Sequence, residues 1–264
     1  MDSDADADND AYGIERLRAG KPVAANWITM MSPAVAEITA DIGYQIAFVD
    51  TEHTTASLSD VETMVRSLEA GGDTDAIVRV PSDDPTYLKR VLDVGADGVM
   101  VPMIETASQA EAVVDATRYP PAGIRGTGAG RAQSYGADMA DYVDSIDDRL
   151  LRIAQIETPT AVENVAEIAA VDGIDALFVG PVDLSTGLGD LGNTESDAFV
   201  DAVETVFDAA ATADKPVGTL ATSEADIEYY ERLGFDWQIV GVDVLLLRER
   251  TSEVRSTYAD LVSE

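Results

Sequence analysis

The 264-residue chain contains 50 acidic and 17 basic residues, which gives a formal net charge of −33 at pH 7. A surface this acidic excludes nucleic acid and anionic membranes as partners, and it keeps a protein soluble in high salt, so we expect a halophilic protein. The chain has no cysteine, which excludes disulfides and thiolate chemistry. We find neither a signal peptide nor an apolar stretch of membrane-spanning length, and we expect a cytoplasmic protein.

The hydrophobic pattern predicts eight strands, each followed by a helix. The strands are too continuously apolar to face water on either side, which is typical of buried parallel strands. We expect residues 1–10 to form a disordered acidic N-terminus and residues 11–264 to form one domain. The predicted strands are residues 21–30, 46–50, 75–81, 98–104, 151–157, 176–183, 216–221 and 238–247. The predicted helices are residues 12–19, 32–43, 57–70, 84–94, 106–118, 138–145, 161–171, 195–213 and 224–234, with a last helix running to the C-terminus.

This alternation favours the α/β class, as a single-domain (β/α)8 TIM barrel. An open doubly wound sheet would need a dinucleotide fingerprint after the first strand, and none is present there. The glycine spacing at residues 187–192 matches such a fingerprint but follows the sixth strand, so we interpret it as a flexible loop over the mouth. A Gly-rich insertion at residues 119–135 forms either an anion-binding nest or only a turn.

Carboxylates stand at the ends of the predicted strands, where an α/β barrel holds its chemistry. Glu157 and Asp183 end neighbouring strands. Their hard oxygen ligands suit Mg²⁺ or Mn²⁺, with waters and substrate completing the coordination, although both could instead be salt-bridge partners. His53 is the only histidine, and it follows Asp50 and Glu52. It can move a proton near neutral pH, although a lone histidine is often only a tolerated polar residue.

Arg79 lies near the end of the third predicted strand. Its guanidinium either binds a substrate carboxylate or enolate, or only neutralises the neighbouring acids. The lysines Lys21 and Lys215 precede strands, and Lys89 lies within a helical pattern. None stands where a Schiff-base lysine is needed, so carbon–carbon chemistry beside a carbonyl would require a metal as the electron sink.

From about Trp27 to Leu247 the sequence resembles the HpcH/HpaI family of metal-dependent class II pyruvate aldolases, which includes the 4-hydroxy-2-oxoheptanedioate, 2-keto-3-deoxy-L-rhamnonate and 2-dehydro-3-deoxyglucarate aldolases. The motifs that carry the resemblance occur in order along the chain: Phe48–His53, Val78–Pro81, Leu92–Gly95, Arg118–Gly126, Gln155–Pro159, Val179–Ser185 and Val240–Asp243. The resemblance implies a barrel of the phosphoenolpyruvate/pyruvate type. It also implies reversible cleavage of a 4-hydroxy-2-oxo acid to pyruvate and an aldehyde.

The resemblance implies roles for individual residues. Glu157 and Asp183 match the metal ligands, for Mg²⁺ or Mn²⁺ with Co²⁺ as a further option. His53 matches an acid/base histidine that works through metal-bound water. Arg79 matches the arginine beside the keto oxygen of pyruvate, and Gln155 matches a substrate-contacting glutamine.

Further matches concern the surroundings of the site. Asp50 matches an acid that supports the histidine, and we expect Trp27 and Val182 to line the substrate site with Asp183. Asp93 matches an aspartate that approaches the histidine from a neighbouring subunit. The expected partners are therefore a small oxo acid substrate and further copies of the chain in a homo-oligomer, commonly a hexamer.

Some positions depart from the family pattern, and they leave the aldehyde open. Residues 82–85 lack the usual aromatic, Thr54 and Thr55 replace a commoner pair, and Gly187 replaces a small hydroxyl or alanine. Three alternatives to the aldolase remain. They are a lyase acting on an acyl-CoA, which would want a basic patch, an oxaloacetate decarboxylase using the same enolate site, and a non-catalytic binding barrel.

Overall fold

A computed structural model describes residues 13–262, so the predicted disorder of residues 1–10 lies outside the described residues. Eight parallel strands close into a barrel in which each strand pairs with its neighbours in chain order and the last pairs with the first. The predicted (β/α)8 barrel is confirmed. The strands are β1 (Ala24–Ile28), β2 (Ile46–Asp50), β3 (Asp75–Arg79), β4 (Gly98–Val101), β5 (Leu151–Ile156), β6 (Ala176–Val179), β7 (Val217–Leu220) and β8 (Trp237–Val242).

Helices follow the strands, and none in residues 13–262 has the length and hydropathy needed to cross a membrane. The helices are α1 (Gly13–Arg18), α2 (Pro33–Ile42), α3 (Leu58–Gly71), α4 (Pro85–Asp93), α5 (Ala107–Thr117), α6 (Met139–Arg149), α7 (Pro159–Glu163), α8 (Val165–Ala169), α9 (Pro181–Gly187), α10 (Asp197–Ala213), α11 (Glu224–Leu233) and α12 (Asp243–Val262). Their ends follow local chemistry: Ser57 and Asp60 form a capping box on α3, and Gly43 ends α2 in the left-handed conformation.

Four aromatic rings fill the interior of the barrel. Trp27, Phe48, Phe178 and Trp237 lie with neighbouring ring centroids 5.7 to 6.3 Å apart. Gly218 is required beside them, because a Cβ on that residue would lie 2.0 Å from the ring of Trp237. A second apolar layer, between the strands and the helices, holds most of the remaining buried side chains. The barrel is therefore a packed core whose open end carries the polar side chains.

The predicted ends of the sixth and eighth strands are wrong, and both errors fall on apolar runs. Strand β6 stops at Val179, and Asp183 lies in the first turn of helix α9, which begins at Pro181. Strand β8 stops at Val242, and residues 243–247 already belong to α12. Short apolar runs do not distinguish strand from helix by periodicity. Proline at the first position of a helix favours the change at Pro181.

Two further predicted elements differ from the structure. The predicted helix at residues 161–171 is two short helices, α7 and α8, that meet at Asn164. The predicted fourth strand, residues 98–104, ends at Val101, and Met103 beyond it has a φ of 56°. Positive φ is uncommon for a residue other than glycine. The chain therefore turns sharply directly after β4.

Helix α12 projects away from the barrel instead of covering it. Apart from Asp243 at its first position, its residues are exposed along its whole described length. Asp243 joins the helix to the barrel, because its carboxylate accepts hydrogen bonds from the backbone N–H groups of Thr29, Met30 and Val244. On the outside of the barrel, Ile38 and Ile42 of α2 are exposed as well. One described helix thus lacks the packing that stabilises the others.

Buried carboxyl groups tie the strands together at the N-terminal end of the barrel. The Asp75 side chain accepts a hydrogen bond from the Ile14 N–H at 2.8 Å, and the Asp97 side chain accepts one from the Ala76 N–H at 2.9 Å. Burial raises the pKa of Asp75 to about 7, and the negative charges of Asp97 and Glu15 add to the rise. Burial likewise raises the pKa of Asp97 to about 6. Both groups are harder to ionise in the folded chain than in the unfolded chain.

The raised pKa of Asp75 predicts a pH-dependent loss of stability. Between about pH 4 and pH 7 the folded state holds a proton on Asp75 that the unfolded state has lost. The free energy of unfolding therefore falls as pH rises through this window, by at most about 1.4 kcal/mol per pH unit from this group, and the loss is complete above its folded pKa. Asp75→Asn should remove this contribution.

Denaturant unfolding of the wild type and Asp75→Asn at constant salt would measure it. We expect the stability of the variant relative to the wild type to rise steadily from pH 4 to pH 7 and then to level off. Two curves that run parallel across this range would contradict the assignment to Asp75. The comparison uses the difference between the two proteins, so the general effect of pH on a highly acidic surface cancels.

Candidate active site

Arg79 is held between two carboxylates at the ends of neighbouring strands. Asp50 and Arg79 stand opposite each other in the pairing of β2 with β3. Arg79 Nε donates to Asp50 Oδ1 at 2.8 Å, and Nη2 donates to Oδ2 at 2.7 Å. Arg79 Nη1 lies 3.0 Å from Glu52 Oε2, and its guanidinium stacks 4.4 Å above the ring of Trp27. This packing fixes the guanidinium at the mouth of the barrel.

These contacts concern the predicted roles of Asp50 and Arg79. Asp50 binds Arg79 and the backbone N–H of Glu52, and among the described residues it makes no hydrogen bond to His53. Arg79 neutralises acids, which was one of its two predicted roles. Three of its five N–H donors serve Asp50 and Glu52, so two donors remain for a substrate oxygen. Arg79 therefore retains donors for its second predicted role, which is to bind a substrate carboxylate or enolate.

Glu157 is a buried carboxylate at the end of β5. Its Oε1 accepts a hydrogen bond from the backbone N–H of Met103 at 2.8 Å, and its Oε2 accepts one from the amide of Gln155. A Cβ at Gly180 would come within 2.9 Å of Glu157 Oε2, so the neighbouring strand approaches closely. Burial raises the pKa of Glu157 to about 7, and the charges of Asp183 and Glu52 add to the rise. The site thus holds a carboxylate that its surroundings do not neutralise.

Asp183 and Glu52 complete a group of carboxylates around Glu157. Asp183 is exposed on the first turn of α9, and its charge acts on both Glu157 and Glu52. Burial raises the pKa of Glu52, with opposing effects from Arg79 and His53. Glu52 is not among the predicted site residues, although it stands close to two of them in the sequence. Its position between Asp50 and His53 was the available signal.

The residues at the mouth fit a divalent cation. Glu157 and Asp183 offer carboxylate oxygens with no basic side chain bonded to them, and the buried Oε1 of Gln155 has no hydrogen-bond partner. Within residues 13–262, no group of three or more His, Cys, Asp or Glu side chains is arranged to hold a metal. Two protein carboxylates with water and substrate oxygens are the usual set for Mg²⁺, which keeps several waters. Structural zinc would need a closed set of four ligands.

His53 lies in the turn after β2, at the rim of the same mouth. Its Nε2 is 3.7 Å from Glu52 Oε2, and its side chain is 68% exposed. The turn is held by Thr54, whose hydroxyl donates to the backbone carbonyl of Asp50 at 2.7 Å. The imidazole therefore has room to approach a substrate at the carboxylates. Val182, expected to line the substrate site, is also exposed at the rim, whereas Trp27 lies buried beneath Arg79.

Asp93 does not lie at the mouth of its own barrel. It ends α4, which begins at the mouth and leads to the opposite end of the barrel. Arg125 Nη2 donates to Asp93 Oδ1 at 3.0 Å, and its guanidinium stacks 4.6 Å from the ring of Tyr119. The Gly-rich insertion packs here too, since Gly130 lies against Asp93. The insertion is thus remote from Glu157, and any contact of Asp93 with a histidine requires another copy.

The loops at the open end of the barrel are acidic. The mouth loops are the segments that follow strands β1 to β7, at residues 29–32, 51–57, 80–84, 102–106, 157–158, 180–196 and 221–223. These loops contain no lysine or arginine. Their acidic residues are Glu52, Asp83, Asp84, Glu105, Glu157, Asp183, Asp190 and Glu195. At the last residues of the strands, Arg79 is the one cation.

The chain is similar to known aldolases over most of its length. It is 42% identical over 227 residues to the 4-hydroxy-2-oxovalerate aldolase of Novosphingobium aromaticivorans, which covers 86% of each chain. It is 38% identical over 234 residues to the 4-hydroxy-2-oxo-heptane-1,7-dioate aldolase of Salmonella arizonae, covering 88% of this chain and 89% of that one.

A crystal structure gives the same result for the fold. The HpcH/HpaI aldolase/citrate lyase family protein from Burkholderia cenocepacia superposes with a TM-score of 0.89 at 34% identity, over 93% of this chain and 98% of that chain. The model of the HpcH/HpaI aldolase/citrate lyase family matches residues 24–249, which span the barrel and every candidate site residue. This chain belongs to the HpcH/HpaI aldolase/citrate lyase family.

Proposed function

We propose that this protein is a class II aldolase that reversibly cleaves a 4-hydroxy-2-oxo acid to pyruvate and an aldehyde. The observation that carries the proposal is the buried Glu157, whose carboxylate accepts hydrogen bonds only from neutral donors and lies beside Asp183, at the mouth that also holds Arg79. Membership of a family whose similar members are named aldolases supports the same carbon–carbon lyase reaction. Glu157 and Asp183 would hold the divalent cation, either Mg²⁺ or Mn²⁺. When bound, the cation supplies Lewis-acid stabilisation of the negative charge that develops on the C2 oxygen.

The side chains of this chain position the pyruvate half of the substrate. The two free N–H donors of Arg79 can bind the C2 oxygen or the carboxylate, and charge-assisted hydrogen bonds of this kind strengthen as negative charge develops. Gln155 is fixed by its hydrogen bond to Glu157, and its buried Oε1 has no hydrogen-bond partner. Trp27 holds the guanidinium from below, which limits its movement during the reaction.

His53 serves as the acid and base in this proposal. It takes the proton of the C4 hydroxyl as the C3–C4 bond breaks, and the aldehyde carbonyl forms at C4. The electron pair of the broken bond passes into the enolate of pyruvate, and the proton is then delivered to C3. An imidazole is suited to both transfers because its ordinary pKa lies near neutrality.

An acyl-CoA lyase fits this mouth poorly. The phosphates of CoA require basic side chains, and the mouth loops contain none. Decarboxylation of oxaloacetate would use the same enolate-stabilising groups and fits as a side activity of the aldolase site. A barrel that only binds a ligand would not need a buried carboxylate with a pKa raised to about 7.

Pyruvate release from a panel of 4-hydroxy-2-oxo acids, measured with EDTA and with EDTA plus excess Mg²⁺ or Mn²⁺, tests the function. We expect pyruvate only when the metal is restored. Pyruvate release that survives complete metal removal would contradict the role of Glu157 and Asp183. Running the panel at low and at multimolar salt also tests the halophilic surface, since we expect self-repulsion among the acids to abolish activity at low salt.

Two substitutions separate the proton-transfer group from the metal ligands. His53→Ala should lower kcat by about 10² to 10⁴, which is the usual loss when a general acid–base is removed. Its Mn²⁺ affinity, measured by titration calorimetry, should stay near the wild-type value. Asp183→Asn should instead lose Mn²⁺ binding. Wild-type turnover in His53→Ala would refute the acid–base assignment.

We further propose that the protein is a homo-oligomer in which α12 packs on a second copy. Leu247, Val254, Tyr258 and Leu261 of α12 are all exposed, and their spacing puts them on one face of the helix. An apolar face of this length gains stability only when it is covered.

The second copy offers a place for this helix. Ile38 and Ile42 of α2 are exposed beside the β1–β8 pair. Exposed apolar side chains on α2 and on α12 gain stability when they cover one another. A hexamer, as the family resemblance implies, would contain such pairs of copies.

Light scattering coupled to size-exclusion chromatography tests the oligomer. Val254→Asp places a charge in the apolar face and should shift the protein towards the monomer mass, because burying an unpaired charge is costly. Ser256→Asp lies on the opposite face of α12 and should leave the mass at the wild-type value. An unchanged oligomer in Val254→Asp, or a monomeric wild type, would contradict the proposal.

A further inference from the structure

The substrate site has a buried part at the ends of the strands and an exposed part at the rim of the mouth. Arg79, Gln155 and Glu157 are all buried, at 8%, 1% and 3% exposure. They stand at the ends of strands, where backbone pairing holds them in place. Every substrate of this reaction contains the pyruvate half. That half belongs with these buried groups. The aldehyde half must then lie towards the rim, against the mouth loops.

Met103 is a half-exposed apolar residue at the mouth, next to the buried Glu157. Its φ of 56° turns its side chain outwards, so that it is 50% exposed while Pro102 and Ile104 on either side are buried. The same turn directs its N–H to Glu157. A left-handed conformation is unfavourable for an ordinary L-residue. The backbone therefore holds a half-exposed methionine next to the carboxylates in an unfavourable conformation.

The loop that carries Met103 is fixed by the next strand-to-helix connection. Thr158 Oγ1 donates to Glu105 Oε1 at 2.8 Å, and Asn164 Nδ2 donates to the Glu105 backbone carbonyl at 2.8 Å. Val182, which is also exposed, lies on the other side of Glu157, two residues beyond Gly180. Two apolar side chains, Met103 and Val182, thus stand at the rim beside Glu157 among the acidic side chains, and the loop that carries Met103 is anchored.

The charge of the rim decides which aldehydes fit. The mouth loops contain no lysine or arginine. Arg79 is paired with Asp50 and Glu52, and its two remaining N–H donors belong to the pyruvate half of the substrate. A divalent cation on Glu157 and Asp183 would balance those two carboxylates and leave the other acids of the mouth loops. A second carboxylate on the aldehyde half would therefore meet like charges and no counter-charge from the mouth loops.

We propose that the aldehyde half of the substrate is uncharged, and that Met103 is a residue that determines this specificity. The inference rests on the proposed aldolase function. It separates two substrate types within one reaction. Cleavage of 4-hydroxy-2-oxovalerate between C3 and C4 releases acetaldehyde, which is neutral. The same cleavage of 4-hydroxy-2-oxoheptane-1,7-dioate releases a semialdehyde that carries a carboxylate.

The test is the ratio of kcat/KM for 4-hydroxy-2-oxovalerate to kcat/KM for 4-hydroxy-2-oxoheptane-1,7-dioate, measured with Mg²⁺ on one preparation. A ratio on a single preparation cancels differences in folding and metal content. For the wild type we expect the neutral substrate to be favoured by about tenfold or more, as for one unfavourable charge contact. A wild type that uses the diacid equally well, or better, overturns the inference.

Two variants of similar side-chain length test Met103 itself. Met103→Lys adds a cation at the rim, and Met103→Gln adds polarity without charge. We expect the lysine variant to move the ratio towards the diacid by about tenfold relative to the glutamine variant. The shift should shrink as salt is raised, because exposed charges are screened, and a merely structural change would not respond in this way.

The outcomes separate the specificity from the function. Equal ratios in Met103→Lys and Met103→Gln overturn the role of Met103. If Met103→Lys does not fold, the wild-type ratio and Met103→Gln still decide, since loss of the apolar wall alone should reduce the preference for the neutral substrate. A folded, metal-loaded wild type that releases no pyruvate from either compound overturns the proposed aldolase function and the inference with it.

Discussion

The aromatic rings inside the barrel are the constraint on which the mouth depends. Trp27, Phe48, Phe178 and Trp237 leave no space for a side chain at Gly218. Close packing of this kind holds the strands at one diameter. Trp27 also supports the guanidinium of Arg79, so the apolar interior and the charged mouth meet at one contact.

The buried carboxylates at the mouth differ in whether a cation of the chain balances them. This difference distinguishes a supporting residue from a candidate metal ligand. Asp50 is buried but fully paired with Arg79, so its negative charge is balanced within the chain. Glu157 is equally buried but receives only neutral donors, from Met103 and Gln155, and its pKa rises to about 7. A buried carboxylate without a cation destabilises the fold unless something else balances it. In a site that takes a divalent cation, that instability favours binding.

Two apolar surfaces are uncovered in a single copy of the chain. Along its described length α12 exposes an apolar face, and α2 exposes Ile38 and Ile42. Asp93 and the Gly-rich insertion form an ordered structure with Arg125 and Tyr119, away from their own mouth. Association of copies would bury the exposed apolar area and so stabilise an assembly.

The sequence by itself determined the barrel and most of the residues at its mouth. Continuous apolar strands alternating with amphipathic helices allow few other folds, and parallel strands bring their final residues, such as Asp50 and Arg79, to one edge. Capping residues such as Ser57 and Gly43 also marked helix ends correctly, since these signals are local. The motif residues, which occur in order along the sequence, likewise indicated the HpcH/HpaI family.

Only the tertiary structure decided how these residues are used. The partner of Asp50 is Arg79 and not His53, because the register of β2 with β3 sets them side by side. The left-handed turn at Met103 and the helical start at Asp243 depend on hydrogen bonds to residues distant in the chain, Glu157 for the first and Thr29 for the second. Local patterns contain no information about such contacts. They arise only once the closed barrel has brought the strand ends together.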